Sequence, residues 1–190
     1  FLDACQEADR RLRPDDLHDA IDRELAAVDA LPNYQLLMAR GGAEGESAAA
    51  LTERAAAFSR RKVAWCDAHL ATCGGDEALA RAYRAKRAKE LSAADRLFTP
   101  DALDEARRRT QHALAGLEHT LRTRRTRWLV TDRISMADLF WALELLRIEN
   151  VGAAGFWKDG RLPEIARHIA ACRRIPAVDA AVLSWPGATF

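Results

Sequence analysis

The segment around Ser135 constrains this chain more than any other, because two devices that start a helix coincide there. Ser135 can accept a hydrogen bond from the backbone N–H of Asp138, whose carboxylate can in turn accept from the N–H of Ser135. Ile134 and Leu139 flank this capping box and can close a hydrophobic staple over it. Residues 139–149 are apolar on nearly every side, which is typical of a helix enclosed by others. We therefore predict a capped central helix and assign these four named residues to folding, not to chemistry.

The composition favours a helical protein and excludes several functional classes. The chain has 190 residues, of which 49% are hydrophobic and 30% are charged. Ala, Leu and Arg are abundant and Pro is scarce, so helix is favoured almost everywhere and strand almost nowhere. A formal net charge of +1 gives no broad basic field for nucleic acid, and charged residues interrupt every apolar run. We expect an all-α protein with no nucleic-acid partner and no membrane span.

The cysteines give little support for a metal site or a disulfide framework. All four are scattered along a chain that is long enough to fold without crosslinks, which is typical of reduced thiols in the cytoplasm. Cys66, His69 and Cys73 could supply three ligands from neighbouring helical turns, but no fourth ligand has suitable spacing. We predict no metal and interpret the cysteines as small core residues.

Start and stop signals divide the chain into helices joined by short connections. Pro32 is predicted to interrupt the first helix, and Gly74 with Gly75 to end a long helix that opens at Ser47. There is no internal repeat and no linker long enough to separate two domains, so residues 15–190 are expected to form one helical bundle. The predicted helix starts are Asp16, Ser47, Asp76, Thr99, Ser135, Leu162 and Ile175.

A basic run within one predicted helix has two interpretations. It consists of Arg84, Lys86, Arg87 and Lys89. In the first and favoured interpretation it is a solvated face, in which Lys86 pairs with Glu90 four residues on. In the second it is a site for an anionic ligand.

The residues around the capping box also resemble a known family. Trp128-Leu129 followed by Ile134-Ser135-Met136-Ala137-Asp138 is similar to the segment that opens the buried core helix in the C-terminal helical domain of glutathione S-transferases. The long insertion between the first helix and Thr99 resembles the branch that contains tetrachlorohydroquinone reductive dehalogenases and the ganglioside-induced differentiation-associated proteins, as does the stretch Leu146–Glu149. β-Etherase-like transferases are an alternative. Further segments that are similar to the family are Phe1–Ala4, Leu12–Asp15, Gly160–Pro163 and Arg173–Val178.

The resemblance implies how the chain is organised. Residues 1–14 correspond to the end of an N-terminal thioredoxin-like domain and its linker, and residues 15–190 to the helical domain. In the family the residue that activates glutathione lies in the thioredoxin-like domain, which we expect to be absent from this chain. We therefore assign no catalytic and no glutathione-binding residue here, and we expect the chain alone to be inactive.

The resemblance also implies a function for the intact protein. Members of the family join their co-substrate glutathione to a small electrophile, or use it for reduction, and they form cytoplasmic homodimers. We expect an aromatic substrate, and a helical domain that supplies pocket wall and dimer contacts. One alternative is a non-catalytic transferase-like module for dimerisation or partner binding. Another is an unrelated bundle, in which the Ser135 segment is simply a well-capped helix.

Under this resemblance, three residues are candidates for the substrate pocket. Tyr34 and Met38 lie where the first helix would pass the cleft, and Arg147 interrupts the apolar central helix. Tyr and Met at helical spacing are also typical of a core. A guanidinium on a buried helix must be paired or reach a wet cleft, and Glu144 or Glu149 could pair with Arg147.

Overall fold

The computed structural model describes residues 11–38, 48–151 and 155–184 of the chain. Within these ranges the regular structure is helical and contains no strand, which confirms the all-α prediction. The helices are α1 (His18–Asp29), α2 (Asn33–Met38), α3 (Ala48–Thr72), α4 (Glu77–Arg96), α5 (Pro100–Thr123), α6 (Met136–Asn150), α7 (Gly155–Lys158), α8 (Pro163–Arg173) and α9 (Pro176–Val178).

Local sequence signals set the ends of several helices. The Asp76 carboxylate accepts a hydrogen bond from the N–H of Leu79 at 3.0 Å, at the start of α4. The Thr99 hydroxyl accepts from the N–H of Ala102 at 3.2 Å, at the start of α5. The glycine pair after α3 has φ values of 58° and 91°, a left-handed conformation that glycine adopts without strain. These predicted boundaries are confirmed, whereas Ser47 lies outside the described residues.

The chain divides into two compact units. The one bundle predicted for residues 15–190 stays a prediction. One unit comprises Phe1–Leu31 with Arg109–Phe190, and the other comprises Pro32–Arg108. In the second unit α3 and α4 pack along one another, and α2 packs on α3. No linker is needed for this division, because α3 and α4 bury apolar side chains in a core of their own. That core contains Ala55, Ala93 and Phe98, with Tyr34, Leu97 and Leu103 packed against it.

In the other unit, α6 packs against α1 and α8. Trp141 of α6 is 1% exposed, and its Nε1 donates a hydrogen bond to Oε2 of Glu24 on α1 at 2.8 Å. α6 thus lies at the centre of this unit. The fully buried side chains of the unit include Ile21, Leu114, Leu145, Leu146, Ile148 and Ile165.

One side of α6 is exposed, which corrects the prediction of an enclosed helix. Phe140 and Leu143 are 42% and 40% exposed, and they lie three residues apart on the same side. Trp141, Leu145 and Ile148 are buried. An apolar sequence indicates that a helix can be buried all round, but it does not determine which sides find a partner within this chain.

Candidate functional site

Asp138 is a hydrogen-bonding centre at the start of α6, and its side chain is fully buried. Its Oδ2 accepts from the N–H and the hydroxyl of Ser135, at 2.9 and 2.7 Å. The reciprocal half of the capping box is also present. Its Oδ1 accepts from the N–H of Leu129 at 2.9 Å, which ties the preceding loop to the first turn of the helix. These bonds serve the backbone and Ser135, so they support a folding role.

The two residues of the expected staple have different surroundings. Ile134 packs against a buried cluster formed by Trp128, Ala142 and Cys172, and so joins the loop to α6 and α8. Leu139 is half-buried. A direct staple between Ile134 and Leu139 stays a prediction.

Sequence analysis missed a second buried polar group, which lies beside the cap. His168 on α8 is 1% exposed. Its Nε2 lies 3.9 Å from Oδ1 of Asp138 and 3.7 Å from Sγ of Cys172. The ring of Trp128 meets the imidazole edge-on, with 5.9 Å between the ring centres. The one available sequence signal was the spacing of His168 and Cys172, four residues apart on one helix.

Burial makes the His168 imidazole and the neighbouring Cys172 thiol unreactive near neutral pH. Desolvation lowers the pKa of the His168 imidazole to about 4. The Arg124 guanidinium lowers this pKa as well, whereas the Asp138 carboxylate acts to raise it. Desolvation and the negative charge of Asp138 raise the pKa of the Cys172 thiol to about 12. The positive charge of Arg124 acts in the opposite direction. A neutral imidazole beside a protonated thiol is not an activated nucleophile. We therefore interpret this cluster as structural.

Tyr34 takes part in a polar network that joins α2, α3 and α4. Its hydroxyl donates to Oε2 of Glu90 at 2.5 Å and accepts from Nζ of Lys62 at 2.9 Å. Ser59 also donates to Oε2 of Glu90, at 3.1 Å, and Lys62 reaches Oε1 at 3.3 Å. The Tyr34 ring packs against Phe98, with 5.5 Å between ring centres. Both ends of the tyrosine side chain are therefore engaged within this unit.

The network keeps Glu90 ionised although this residue is only 5% exposed. Burial alone would raise the pKa of its carboxyl group. Hydrogen bonds from Tyr34, Lys62 and Ser59, together with the lysine charge, outweigh burial and hold that pKa below its usual value. Burial would likewise lower the pKa of Lys62, but its contacts with Tyr34 and Glu90 raise it. Lys62 and Glu90 are therefore both charged.

Arg147 extends from α6 with 42% of its side chain exposed. Its Nη1 donates to Oε2 of Glu144 at 2.9 Å, and the Glu144 side chain is 3% exposed. Glu149 instead accepts from Nη2 of Arg173 at 2.5 Å. Of the two carboxylates that could pair with Arg147, Glu144 is therefore the one that does. The Arg147 side chain is thus partly accessible to a ligand.

The three candidate pocket residues are not brought together within either unit. Tyr34 belongs to Pro32–Arg108, and Arg147 belongs to the other unit. Met38 ends α2, but its side chain lies outside the described residues. Of the three, Arg147 is the one with an accessible polar group on a central helix.

The possible metal ligands near the end of α3 make other contacts. Cys66 is fully buried, and Sγ of Cys73 donates to the backbone oxygen of His69 at 3.1 Å. The His69 imidazole stacks on the ring of Tyr83, with 5.0 Å between ring centres. Among the described residues, no three His, Cys, Asp or Glu side chains are grouped so that they could hold a metal ion. The same stretches contain no helix with the length and apolar character needed to cross a membrane.

Comparison with known proteins decides the family. Residues 74–176, more than half of the chain, match the family model for the C-terminal domain of glutathione S-transferase. The chain belongs to this family. The matched region of this glutathione S-transferase domain contains the Ser135 capping box and α6, and the predicted resemblance is confirmed.

The curated relatives of this glutathione S-transferase domain include reductive dechlorinases. The 2,5-dichlorohydroquinone reductive dechlorinases from two strains of Sphingobium indicum are each 29% identical to it over 180 residues, which is 93% of the chain. The chain spans about half the length of these relatives, since the alignment covers 51% of them. This likeness confirms the predicted reductive dehalogenase branch. No solved structure matches the chain significantly.

Proposed function

We propose that the intact protein is a glutathione-dependent enzyme that acts on an aromatic electrophile, and that this chain is its helical, substrate-side domain. The observation that carries the proposal is the likeness to reductive dechlorinases over 93% of the chain, together with the family membership. The reaction proposed first is reductive removal of chloride from a chlorinated hydroquinone. In such a reaction an aryl C–Cl bond is replaced by C–H and chloride leaves. Two glutathione thiols supply the two electrons as they join in a disulfide.

Within this chain, Arg147 is the residue that we assign to the substrate. A guanidinium binds a phenolate oxygen through charge-assisted hydrogen bonds, and 42% of the Arg147 side chain is exposed. Its pairing with the buried Glu144 would hold it in position. We assign Tyr34 to the packing of α2, because its hydroxyl and ring are both engaged. Met38 stays a candidate for the pocket wall.

Two further parts of the proposal come from the family resemblance alone. We propose that the intact protein is a homodimer and that it works in the cytoplasm. Light scattering coupled to size-exclusion chromatography of the complete gene product tests the first, and a monomer at micromolar concentration would contradict it.

The decisive experiment uses the complete gene product with glutathione and 2,5-dichlorohydroquinone. We expect chloride and glutathione disulfide to appear in equal amounts and only when all three components are present. A parallel reaction with a chloronitrobenzene distinguishes reduction from conjugation, because conjugation yields a thioether without disulfide. If neither reaction exceeds the rate without protein, and the protein is not retained on immobilised glutathione, the non-catalytic alternative replaces this proposal.

A further inference from the structure

One side of α4 carries three cations and no carboxylate, while Glu77 and Asp95 are exposed on a neighbouring side. We call the side with the cations the basic face of α4, and it is formed by Arg81, Ala85, Lys89, Ser92 and Arg96, which follow one another three or four residues apart. All five residues are exposed. A helix face with charge of one sign attracts partners of the opposite sign.

The charges of this face are not neutralised within the described part of the chain. Arg84 and Arg87, on neighbouring sides of α4, form ion pairs with Glu77 and Asp67 at 2.8 and 2.6 Å. The three cations of the basic face form no ion pair in the described residues. The ion pair predicted between Lys86 and Glu90 is also wrong, because Glu90 pairs with Lys62 instead.

The α3–α4 hairpin also exposes two large apolar side chains. Trp65 of α3 is 46% exposed, and Leu79 of α4 is 44% exposed. Nζ of Lys86 lies 4.9 Å from the centre of the Trp65 ring, which places a further cation beside the indole. The indole is held by Tyr83, whose ring centre is 5.3 Å away. Lys86 and an exposed indole therefore lie together at one edge of the α3–α4 hairpin.

We propose that this hairpin docks on a lipid surface that carries anionic headgroups. Residues 48–96 contain ten Lys and Arg against six Asp and Glu, whereas the whole chain has a net charge of only +1. Basic side chains are attracted by anionic lipids, while Trp and Leu enter the boundary between headgroups and acyl chains. An acidic protein would match the cations but would leave the partly exposed indole and Leu side chains without a role. The hairpin would lie on the surface and not cross the membrane.

The proposed docking surface extends beyond the matched family domain, because α3 and its Trp65 precede residue 74, where the match begins. Docking is independent of the proposed reaction, because it needs neither glutathione nor an aromatic substrate.

The test measures co-sedimentation of the complete gene product with vesicles of phosphatidylcholine alone or with about one third phosphatidylglycerol. We expect binding to the anionic vesicles to be at least about tenfold stronger, and to weaken as salt is raised. Lys86→Glu with Lys89→Glu should abolish this difference. Trp65→Ser should weaken binding several-fold, while Trp65→Phe should retain most of it.

A matched variant separates a specific surface from general positive charge. Arg122→Glu with Arg125→Glu makes the same change of charge on exposed residues outside the hairpin, and it should leave vesicle binding unchanged. Equal losses in both double variants would overturn the proposal, as would equal binding to neutral and anionic vesicles. Salt-sensitive binding to polyglutamate with no vesicle binding would also overturn it, and would assign the face to an acidic polypeptide. Circular dichroism of each variant shows that it is folded.

Discussion

The carboxylate of Glu118 on α5 closes the N-terminus of α8 by accepting the backbone N–H of Ile165 at 2.9 Å. Its other oxygen accepts the N–H of Glu164 at 3.1 Å. The first N–H groups of a helix have no partner within that helix, and a negative charge there is also favoured by the helix dipole. A residue 47 positions away in the sequence thus supplies the cap that Leu162 does not provide.

Removal of this carboxylate should destabilise the fold. Glu118 is 7% exposed, so Glu118→Ala leaves two backbone N–H groups with poor access to water. We expect the free energy of unfolding to fall by about 2–3 kcal/mol, and by less in Glu118→Gln, whose amide oxygen can still accept. Urea denaturation measures this change. Glu105→Ala on the exposed side of α5 should change it by less than about 0.5 kcal/mol, and equal effects would contradict the capping role.

Asp138 should matter more than Ser135, although both belong to one capping box. Ser135→Ala removes one cap group and should cost about 1 kcal/mol of unfolding free energy. Asp138→Ala leaves the buried N–H groups of Leu129 and Ser135 without their acceptor and should cost about 3–5 kcal/mol. Guanidinium denaturation of the two variants measures the difference. Similar losses would mean that the bond to the preceding loop adds nothing.

Acid should destabilise the fold through His168. Its pKa is about 4 in the folded protein, lowered by burial from an ordinary value of 6.5. Between these values the unfolded state binds more protons, so the free energy of unfolding falls as the pH decreases. We expect a loss of about 2 kcal/mol between about pH 7.5 and about pH 5 from this group.

Denaturation curves at a series of pH values test this expectation. His168→Gln should remove that part of the pH dependence, whereas His119→Gln, at an exposed position, should retain it. The imidazole faces Asp138 and Arg124, so Asp138→Asn should lower the pKa of His168 further. An unchanged pH dependence in His168→Gln would assign the effect to other groups.

Arg147 offers a kinetic test of the proposed substrate site. If its guanidinium binds an oxygen of the substrate in both the ground and transition states, Arg147→Met should raise KM about tenfold and change kcat little. Arg167 is the matched control, because it forms the same type of i,i+3 pair with Glu164 on α8. Arg167→Met should leave both constants unchanged. A parallel loss of stability and activity in Arg147→Met would instead indicate a structural role.

The sequence predicted those features whose partners are near in the chain. The caps at Asp76, Thr99 and Ser135 join residues three apart, so their residue types alone reveal them. The hydrogen bond between Ile165 and Glu118 spans 47 residues, and the one between Trp141 and Glu24 spans 117. Each depends on how whole helices pack. No local pattern marks them.

The same distinction explains the outcome for the candidate site. The sequence places Tyr34 on a helix but does not reveal its partner Glu90, which lies 56 residues away. Arg147 and Glu144 are three residues apart, and the sequence offers Glu144 as one of two possible partners. The exposure of Phe140 was not predictable, because an apolar sequence specifies a preference for burial without naming the partner.

The ion pair of Lys62 and Glu90 should show strong coupling between its two members. Lys62→Met leaves a carboxylate that is 5% exposed without its cation, and we expect a loss of about 3 kcal/mol. Lys62→Met combined with Glu90→Gln removes both charges, while Tyr34 and Ser59 can still bond to the amide. The double variant should therefore be more stable than Lys62→Met alone.

Urea denaturation of the wild type, both single variants and the double variant gives the coupling energy directly. Additive losses would show that Tyr34 and Ser59 are sufficient to hold the Glu90 carboxylate, and that Lys62 acts independently of it.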